Sequence, residues 1–246
     1  MLIDVHCHLD LIEKEGKDIE KVISNAKNFA LIITNGTHPE SNRKVLEYSK
    51  KYKIVKPALG LYPGHALELS EKEIDKELEF IKKSKPFAIG EVGLDLKHYA
   101  NLDKQKKAFK KFIELAKELD IPLLVHSWNA ERETLDFLEE SKAKKVVMHC
   151  FTGNSELIKK GVSLGYYFSI PTAVVKSKTF RKLVKRIPLN KILTETDAPY
   201  LSPIEDKINE PSFIKYSIQK ISEIKKVTPE ELEKIIFMNY QTLFLK

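Results

Sequence analysis

The chain has 246 residues, of which 42% are hydrophobic and 31% charged, and its formal net charge at pH 7 is +7. This composition is typical of a folded globular protein, and no run of about 18 or more apolar residues is present that would cross a membrane. The N-terminus lacks the basic and hydrophobic segments of a secretory signal, so we predict a cytoplasmic protein without a membrane partner. The positive charge favours polyanionic partners without identifying one.

Eight short apolar or β-branched segments recur along the chain and are predicted to be strands. They are residues 1–6, 29–36, 54–60, 86–93, 121–127, 145–150, 165–170 and 191–197. Between them lie charged segments with apolar residues at helical spacing, such as residues 103–120. Ser70, Ser155 and Thr228 are predicted to begin helices, with Pro229 suited to a first helical position.

Strands that alternate strictly with helices indicate parallel strands joined by right-handed crossovers. Eight such units over this length predict an α/β fold, a (β/α)8 TIM barrel, forming one domain over residues 1–246. A doubly wound open sheet is the alternative. No linker rich in Gly, Ser or Pro divides the chain.

Histidines and carboxylates stand at or just after the carboxyl ends of these predicted strands. They are His6, His8, His65, Glu91, His126, His149 and Asp197. In a parallel barrel these strand ends and their loops form the active-site face, so we expect the side chains to converge there.

The segment "DVHCH", residues 4–8, places ionisable groups at every second position. His6 and His8 share one face of the strand and can bind one cation, while Val5 and Cys7 face the helices. Asp4 lies one step deeper, where we expect it to orient a liganding imidazole. Cys7 and the distant Cys150 are predicted to be free thiols.

A lone buried histidine is usually a hydrogen-bonded core residue, but this combination of imidazoles and carboxylates indicates a metal site. The predicted ligands are His6, His8, Glu91, His126, His149 and Asp197. They suit zinc or another first-row divalent ion better than calcium or magnesium alone, and manganese or a mixed site stays open. Six ligands exceed what one catalytic zinc takes, so we predict two divalent ions bridged by Glu91.

Seven segments spread over the whole chain carry a family resemblance: "DVHCHLD", "GLYPGHA", "AIGEVGLD", "IPLLVHSWNAERETLDFL", "MHCFTG", "ILTETDAPYL" and "NEPSFI". In order and spacing they resemble the TatD-type metal-dependent deoxyribonucleases of the amidohydrolase superfamily. The resemblance implies a two-metal TIM-barrel hydrolase that acts on DNA, single-stranded or at 3′ ends, as a 3′ exonuclease.

The resemblance also implies a role for each residue. His6, His8, Glu91 and Asp197 would hold the first metal, and Glu91, His126 and His149 the second. Asp197 would orient or deprotonate the attacking water, and His65 would contact the scissile phosphate or the leaving group. Glu195 would lie near the metals.

Three positions depart from the family pattern. Trp128 stands where many relatives have arginine, Tyr62 replaces the first histidine of "HPH", and Ile208 precedes "NEP" in place of an arginine. An aromatic ring at position 128 can stack on a base or pack against the following helix, and we favour packing.

Hydrolysis of DNA phosphodiesters by a metal-activated water is the leading hypothesis, with a monomer expected. The alternative is a small-molecule amide, ester or lactone hydrolase of the same superfamily. Many such enzymes bridge their metals with a carbamylated lysine where this chain has Glu91. A barrel that only binds nucleic acid or a partner would be expected to have lost a ligand, and none is lost here.

Overall fold

Eight parallel strands, ordered in space as they are in the chain, form the sheet of the computed structural model, which describes residues 1–245. The strands are β1 (Leu2–Cys7), β2 (Phe29–Asn35), β3 (Val55–Leu59), β4 (Ala88–Gly93), β5 (Leu123–His126), β6 (Val146–Met148), β7 (Tyr167–Ile170) and β8 (Ile192–Thr194). Each overlaps one predicted segment. In a doubly wound sheet the order of the strands in space changes direction partway along the chain. The unbroken order from β1 to β8 therefore confirms the (β/α)8 barrel and excludes the open-sheet alternative.

Helices surround the barrel. They are α1 (Leu9–Lys14), α2 (Ile19–Asn25), α3 (Pro39–Lys51), α4 (Pro63–Glu68), α5 (Glu71–Ser84), α6 (Leu102–Leu119), α7 (Glu131–Glu140), α8 (Ser155–Ser163), α9 (Lys178–Arg186), α10 (Ile214–Lys225) and α11 (Pro229–Phe244). Short 3-10 helices cover Thr172–Val175, Leu189–Lys191 and Pro211–Phe213. Within residues 1–245, no helix has the length and apolar character that crossing a membrane requires.

The three predicted helix starts are confirmed, since helices begin at or directly after Ser70, Ser155 and Thr228. Ser70 caps α5 and Thr228 caps α11, each in a reciprocal capping box with the glutamate three residues later. Helix α8 begins at Ser155 as predicted, but its N-cap is Asn154, whose side chain accepts from the backbone N–H groups of Glu156 and Leu157.

The boundary between β8 and β1, here called the seam, is held by hydrogen bonds from side chains and loops. The Thr194 hydroxyl donates to the Ile3 carbonyl at 2.7 Å. Asp4 accepts from the backbone N–H of Thr196 at 3.0 Å and from its hydroxyl at 2.6 Å. The Asp197 N–H donates to the His6 carbonyl at 2.9 Å. These contacts close the barrel.

The expectation that Asp4 orients an imidazole is wrong. Besides its bonds to Thr196, Asp4 accepts from the backbone N–H of His6 at 3.2 Å. Its oxygens therefore bond backbone N–H groups and the Thr196 hydroxyl at the seam, and they hydrogen-bond to no imidazole in the part of the chain that the structure describes. Cys7 and Cys150 are free thiols, as predicted, and Cys7 donates to the Ile33 carbonyl.

We predict that Thr194→Val lowers the free energy of unfolding by about 1 to 2 kcal/mol, because the variant keeps the shape of the buried side chain and loses its hydrogen bond. Urea unfolding at equilibrium measures the change. The matched control is Thr242→Val, whose exposed hydroxyl donates to the Met238 carbonyl on α11. This control should change stability by less than about 0.5 kcal/mol. Equal effects of the two substitutions would show that the seam bond contributes nothing.

Candidate metal centre

The six predicted ligands converge at the carboxyl ends of the barrel strands. His6 belongs to β1, Glu91 to β4 and His126 to β5, whereas His8, His149 and Asp197 follow the ends of β1, β6 and β8. All are buried except Asp197, which is partly exposed. The ring centroids of His6 and His149 lie 3.7 Å apart, and those of His126 and His149 lie 6.1 Å apart.

His6, His8 and Asp197 form a group across the seam that we call the seam cluster. The Nε2 atoms of His6 and His8 lie 3.1 Å apart. The Oδ1 atom of Asp197 is 3.6 Å from the first nitrogen and 3.7 Å from the second. Ligands of one tetrahedral zinc with bonds of about 2.0 to 2.1 Å stand about 3.3 Å apart, so this spacing fits one ion.

His126 and His149 form the β5–β6 pair on the other side of Glu91. The Oε1 atom of Glu91 lies 2.9 Å from Nδ1 of His126 and 3.8 Å from Nε2 of His149. Its Oε2 atom faces the seam cluster instead, 3.5 Å from Nε2 of His6 and 3.4 Å from Nε2 of His8. Each oxygen of one carboxylate therefore serves a different group of imidazoles.

Contacts behind the rings determine which nitrogens are free to bind a cation. His8 Nδ1 lies 3.0 Å from the Asn35 carbonyl, and His149 Nδ1 lies 2.8 Å from Oε2 of Glu195. Because a carbonyl only accepts, His8 donates from Nδ1 and its Nε2 can offer a lone pair. Among the described residues, the buried Nδ1 of His6 has no hydrogen-bond partner.

Glu195 lies behind His149, where the resemblance led us to expect it near the cluster. It is buried, and besides His149 it accepts from the Cys150 backbone N–H at 2.9 Å and from the Ser169 hydroxyl at 2.5 Å. These bonds, with the charge of His149, overcome burial and lower the pKa of Glu195 to about 2. The carboxylate therefore stays ionised and holds the ring of His149.

Charges on the carboxylates and imidazoles depend on one another. Burial opposes ionisation of Glu91, but hydrogen bonds from His126 and His6 hold its pKa well below the ordinary value of 4.5. Burial and the neighbouring charge of His149 lower the pKa of His6. A negative Glu91 is thus maintained at the centre of the site.

Three of the imidazoles have raised pKa values in the metal-free protein: His126, which hydrogen-bonds to Asp95 and Glu91, and also His149 and His8. Burial opposes protonation of His149, but the charges of Glu195 and Asp197 raise its pKa from 6.5 to about 10. Burial likewise opposes protonation of His8, but Asp197 and Glu91 raise its pKa to about 9. Protons occupy these nitrogens at neutral pH unless a cation displaces them.

The remaining predicted residues lie around the mouth of the barrel. His65 belongs to α4, its side chain is 40% exposed, and its Nδ1 lies 3.4 Å from Glu68. The Tyr62 ring lies between it and the metal centre, 6.2 Å from the His65 ring and 5.0 Å from the His126 ring. Trp128 is 47% exposed, and its ring packs edge-on against His98, from the loop after β4.

Two neighbours of the ligands were not predicted from the sequence. Asp95, in the loop after β4, lies 3.2 Å from Nε2 of His126. The Cys150 thiol donates to Asp197 at 3.9 Å and joins His149 and Asp197 in a further group that could hold a metal ion. Asp95 is the last residue of the motif "EVGLD" and Cys150 the last residue of "MHC", and these positions beside Glu91 and His149 were the available signal.

The donor set fits a divalent cation. Imidazole nitrogens and carboxylate oxygens within 4.8 Å of one another include the groups His6–Glu91–His149 and His6–His8–Asp197. These are ligands that zinc and related first-row ions prefer. A parallel eight-stranded barrel that gathers such donors at its carboxyl rim has the architecture of the metal-dependent hydrolases.

Comparison with known proteins agrees with this class. The family model described as TatD related DNase matches residues 3–245. The chain belongs to this family. It is 35% identical to the human protein named deoxyribonuclease TATDN3 over 261 aligned positions, covering all of this chain and 95% of that protein.

Two further proteins are similar over nearly their full length. One is the uncharacterized metal-dependent hydrolase YabD of Bacillus subtilis (strain 168), 34% identical, with 99% of each chain covered. The other is YJJV, a TatD homologue from Escherichia coli K12, whose crystal structure matches this chain with a TM-score of 0.89 and 27% sequence identity. The match covers all of this chain and 98% of that one.

We predict that Glu195→Gln lowers the pKa of His149 from about 10 toward the ordinary 6.5 in metal-free protein. The amide keeps the size of the side chain and removes the charge that favours the imidazolium. Titration of the histidine ring signals by NMR measures the shift. The matched control is Glu205→Gln in the exposed loop after β8, which should leave His149 unchanged. A His149 pKa that stays near 10 in Glu195→Gln would contradict the assignment.

Proposed function

We propose that this protein is a divalent-metal-dependent deoxyribonuclease that hydrolyses phosphodiester bonds of DNA, as a 3′ exonuclease acting on single-stranded DNA or 3′ ends. One observation carries the proposal. The two oxygens of Glu91 face two separate groups of imidazoles, at 3.4 and 3.5 Å on one side and at 2.9 and 3.8 Å on the other. A carboxylate in that position could be shared by two ions, as expected of a two-metal site for phosphoryl chemistry.

The proposed ligands divide between the two ions as the distances group them. The seam cluster and Oε2 of Glu91 would hold the first ion, and the β5–β6 pair and Oε1 of Glu91 would hold the second. The ions would be zinc, manganese or magnesium, and the four imidazoles favour zinc or manganese. When bound, two such ions lower the pKa of a water molecule and offset the negative charge that develops on a phosphate.

Asp197 is the proposed proton acceptor. Its Oδ1 atom lies 3.6 to 3.9 Å from ring nitrogens of His6, His8 and His149, and its side chain is 15% exposed at the mouth. A carboxylate that is both within the cluster and reachable from solvent can orient the attacking water and accept its proton. The burial of the other carboxylate, Glu91, suits a fixed bridging ligand instead.

His65 is the proposed contact to the scissile phosphate or the leaving group. It lies on the rim of the barrel mouth. Its ring neighbours that of Tyr62, which in turn neighbours that of the proposed ligand His126. A half-exposed imidazole there can donate a proton to the leaving oxygen. Trp128, on the same rim, offers an exposed aromatic face to a base.

DNA is favoured over small esters or lactones by several independent features. The chain belongs to the TatD related DNase family, and a similar human protein is named a deoxyribonuclease. A net charge of +7 favours a polyanionic substrate. Glutamate at position 91 differs from the carbamylated lysine that bridges the metals in many small-molecule hydrolases of the superfamily.

We predict that Glu91→Gln reduces DNA hydrolysis by at least about a hundredfold, because an amide offers one oxygen instead of two and cannot serve both ions. Release of nucleotides from 3′-labelled single-stranded DNA in the presence of zinc or manganese measures the loss. The matched control is Glu79→Gln on the exposed face of α5, which should retain full activity.

Two outcomes would contradict the proposal. Glu91→Gln with wild-type nuclease activity would remove the bridging role, and wild-type protein that hydrolyses esters or lactones but not DNA would favour the small-molecule alternative. Circular dichroism of the variant verifies that its fold is retained.

We predict that metal binding weakens as the pH falls. His8 and His149 have pKa values of about 9 and 10 in the metal-free protein, so both carry protons at neutral pH that the ions must displace. Affinity should fall about tenfold per pH unit for each displaced proton below about pH 9. Calorimetric titration of zinc into chelator-treated protein, in buffers of different ionisation enthalpy, counts the protons released. Affinity that is constant between about pH 6.5 and 8.5 would contradict this mechanism.

A further inference from the structure

We propose that Asp95 is a positioning residue that fixes the tautomer and orientation of His126, so that His126 presents Nδ1 to the second ion. This inference rests on the proposed two-ion site. His126 has a carboxylate at each ring nitrogen, with Glu91 2.9 Å from Nδ1 and Asp95 3.2 Å from Nε2. His126 is therefore held at Nε2 and presents Nδ1 to the metal centre. His8 and His149 have the opposite orientation, since they are held at Nδ1 and present Nε2.

The hydrogen-bond chemistry of Asp95 determines which tautomer His126 would adopt when a cation binds beside Glu91. An ionised carboxylate only accepts hydrogen bonds, so His126 has to carry a proton on Nε2 to bond with Asp95. Glu91 is also ionised and lies 2.9 Å from Nδ1, so in the metal-free protein Nδ1 donates a hydrogen bond as well. A cation beside Glu91 would displace the proton on Nδ1 and leave the proton on Nε2 that Asp95 accepts. With the proton on Nδ1, the same ring could not bind a cation there.

The Asp95 side chain is itself held in place by several donors. It is fully buried, and its Oδ1 accepts from the backbone N–H groups of Lys97 at 2.8 Å and His98 at 2.9 Å. Its Oδ2 accepts from the Tyr62 hydroxyl and from Nδ1 of His98 at 3.0 Å, in addition to His126. Although burial opposes ionisation, the bonds from His126, Tyr62 and His98 lower the pKa of Asp95.

The backbone around Asp95 is equally constrained. Gln105 of α6 accepts from the Asp95 N–H at 2.7 Å and donates to its carbonyl at 3.0 Å. Gly93 has φ = 145°, and a Cβ at this position would lie 2.0 Å from the His126 carbonyl oxygen. Glycine therefore allows the chain that leaves β4 to pass close to His126 and bring Asp95 to the ring.

This arrangement also gives a role to Tyr62, one of the departures from the family pattern. Its hydroxyl donates to Asp95 while its ring lies edge-on to His126 at 5.0 Å. Tyr62 thus contacts both members of the Asp95–His126 pair.

Asp95→Asn is the sharpest variant, because the amide group can donate to Nε2 of His126 and stabilise the tautomer with a proton on Nδ1. We expect affinity for the second zinc ion to fall about 10- to 100-fold, while the first ion is retained. Competition with a chromophoric chelator measures both affinities without a nuclease assay. The matched control is Asp103→Asn in the exposed first turn of α6, which should bind two zinc ions as the wild type does.

A second measurement uses the wild-type protein and does not depend on folding of a variant. In zinc-loaded, ¹⁵N-labelled protein, long-range ¹H–¹⁵N correlation spectra distinguish the two histidine tautomers. We expect His126 to carry its proton on Nε2, and His8 and His149 to carry theirs on Nδ1. Loss of one set of ring signals in His126→Gln assigns the residue.

The outcomes separate this inference from the function it rests on. Wild-type protein that binds no zinc would overturn the proposed function and, with it, the role of Asp95. Two zinc ions bound with unchanged affinity in Asp95→Asn would overturn the positioning role alone. A His126 proton on Nδ1 in the loaded wild type would do the same, even if Asp95→Asn failed to fold.

Discussion

The carboxylate of Glu91 is the group on which the rest of the site depends. A buried negative charge is costly unless donors or cations meet its oxygens, and here imidazoles from β1, β5 and β6 approach it from both sides. Removing this shared charge would leave the protonated histidines repelling one another. The barrel therefore serves to bring residues from opposite parts of the chain to one carboxylate.

Each imidazole around Glu91 is held by a different kind of partner. His8 is held by a backbone carbonyl of β2, His149 by Glu195 and His126 by Asp95, whereas His6 stacks on His149 at 3.7 Å without a partner at Nδ1 among the described residues. The precision of the site thus comes from residues one layer behind the proposed ligands. Three of the four rings have their orientation set by a neighbouring element.

The fold and the convergence of the site were predictable from the sequence because both follow from simple periodicities. Alternating strands and helices imply the barrel, and polar residues at strand ends imply a common rim, so the places of His126 and His149 required no contact information. The contacts of Asp4 and Asp95 could not be predicted in this way. Asp4 bonds Thr196, 192 residues away, and the bond of Asp95 to His126 depends on how one loop turns after Gly93. Such contacts are set by tertiary packing, which local patterns do not record.

The seam has a consequence for when this site comes into existence during synthesis. His6 and His8 are synthesised long before Asp197, Thr194 and Thr196, which belong to the last strand or directly follow it. A nascent chain that stops before β8 lacks both the seam bonds and the third member of the seam cluster. A growing polypeptide consequently carries the two histidines without a completed metal centre until β8 and Asp197 have been made.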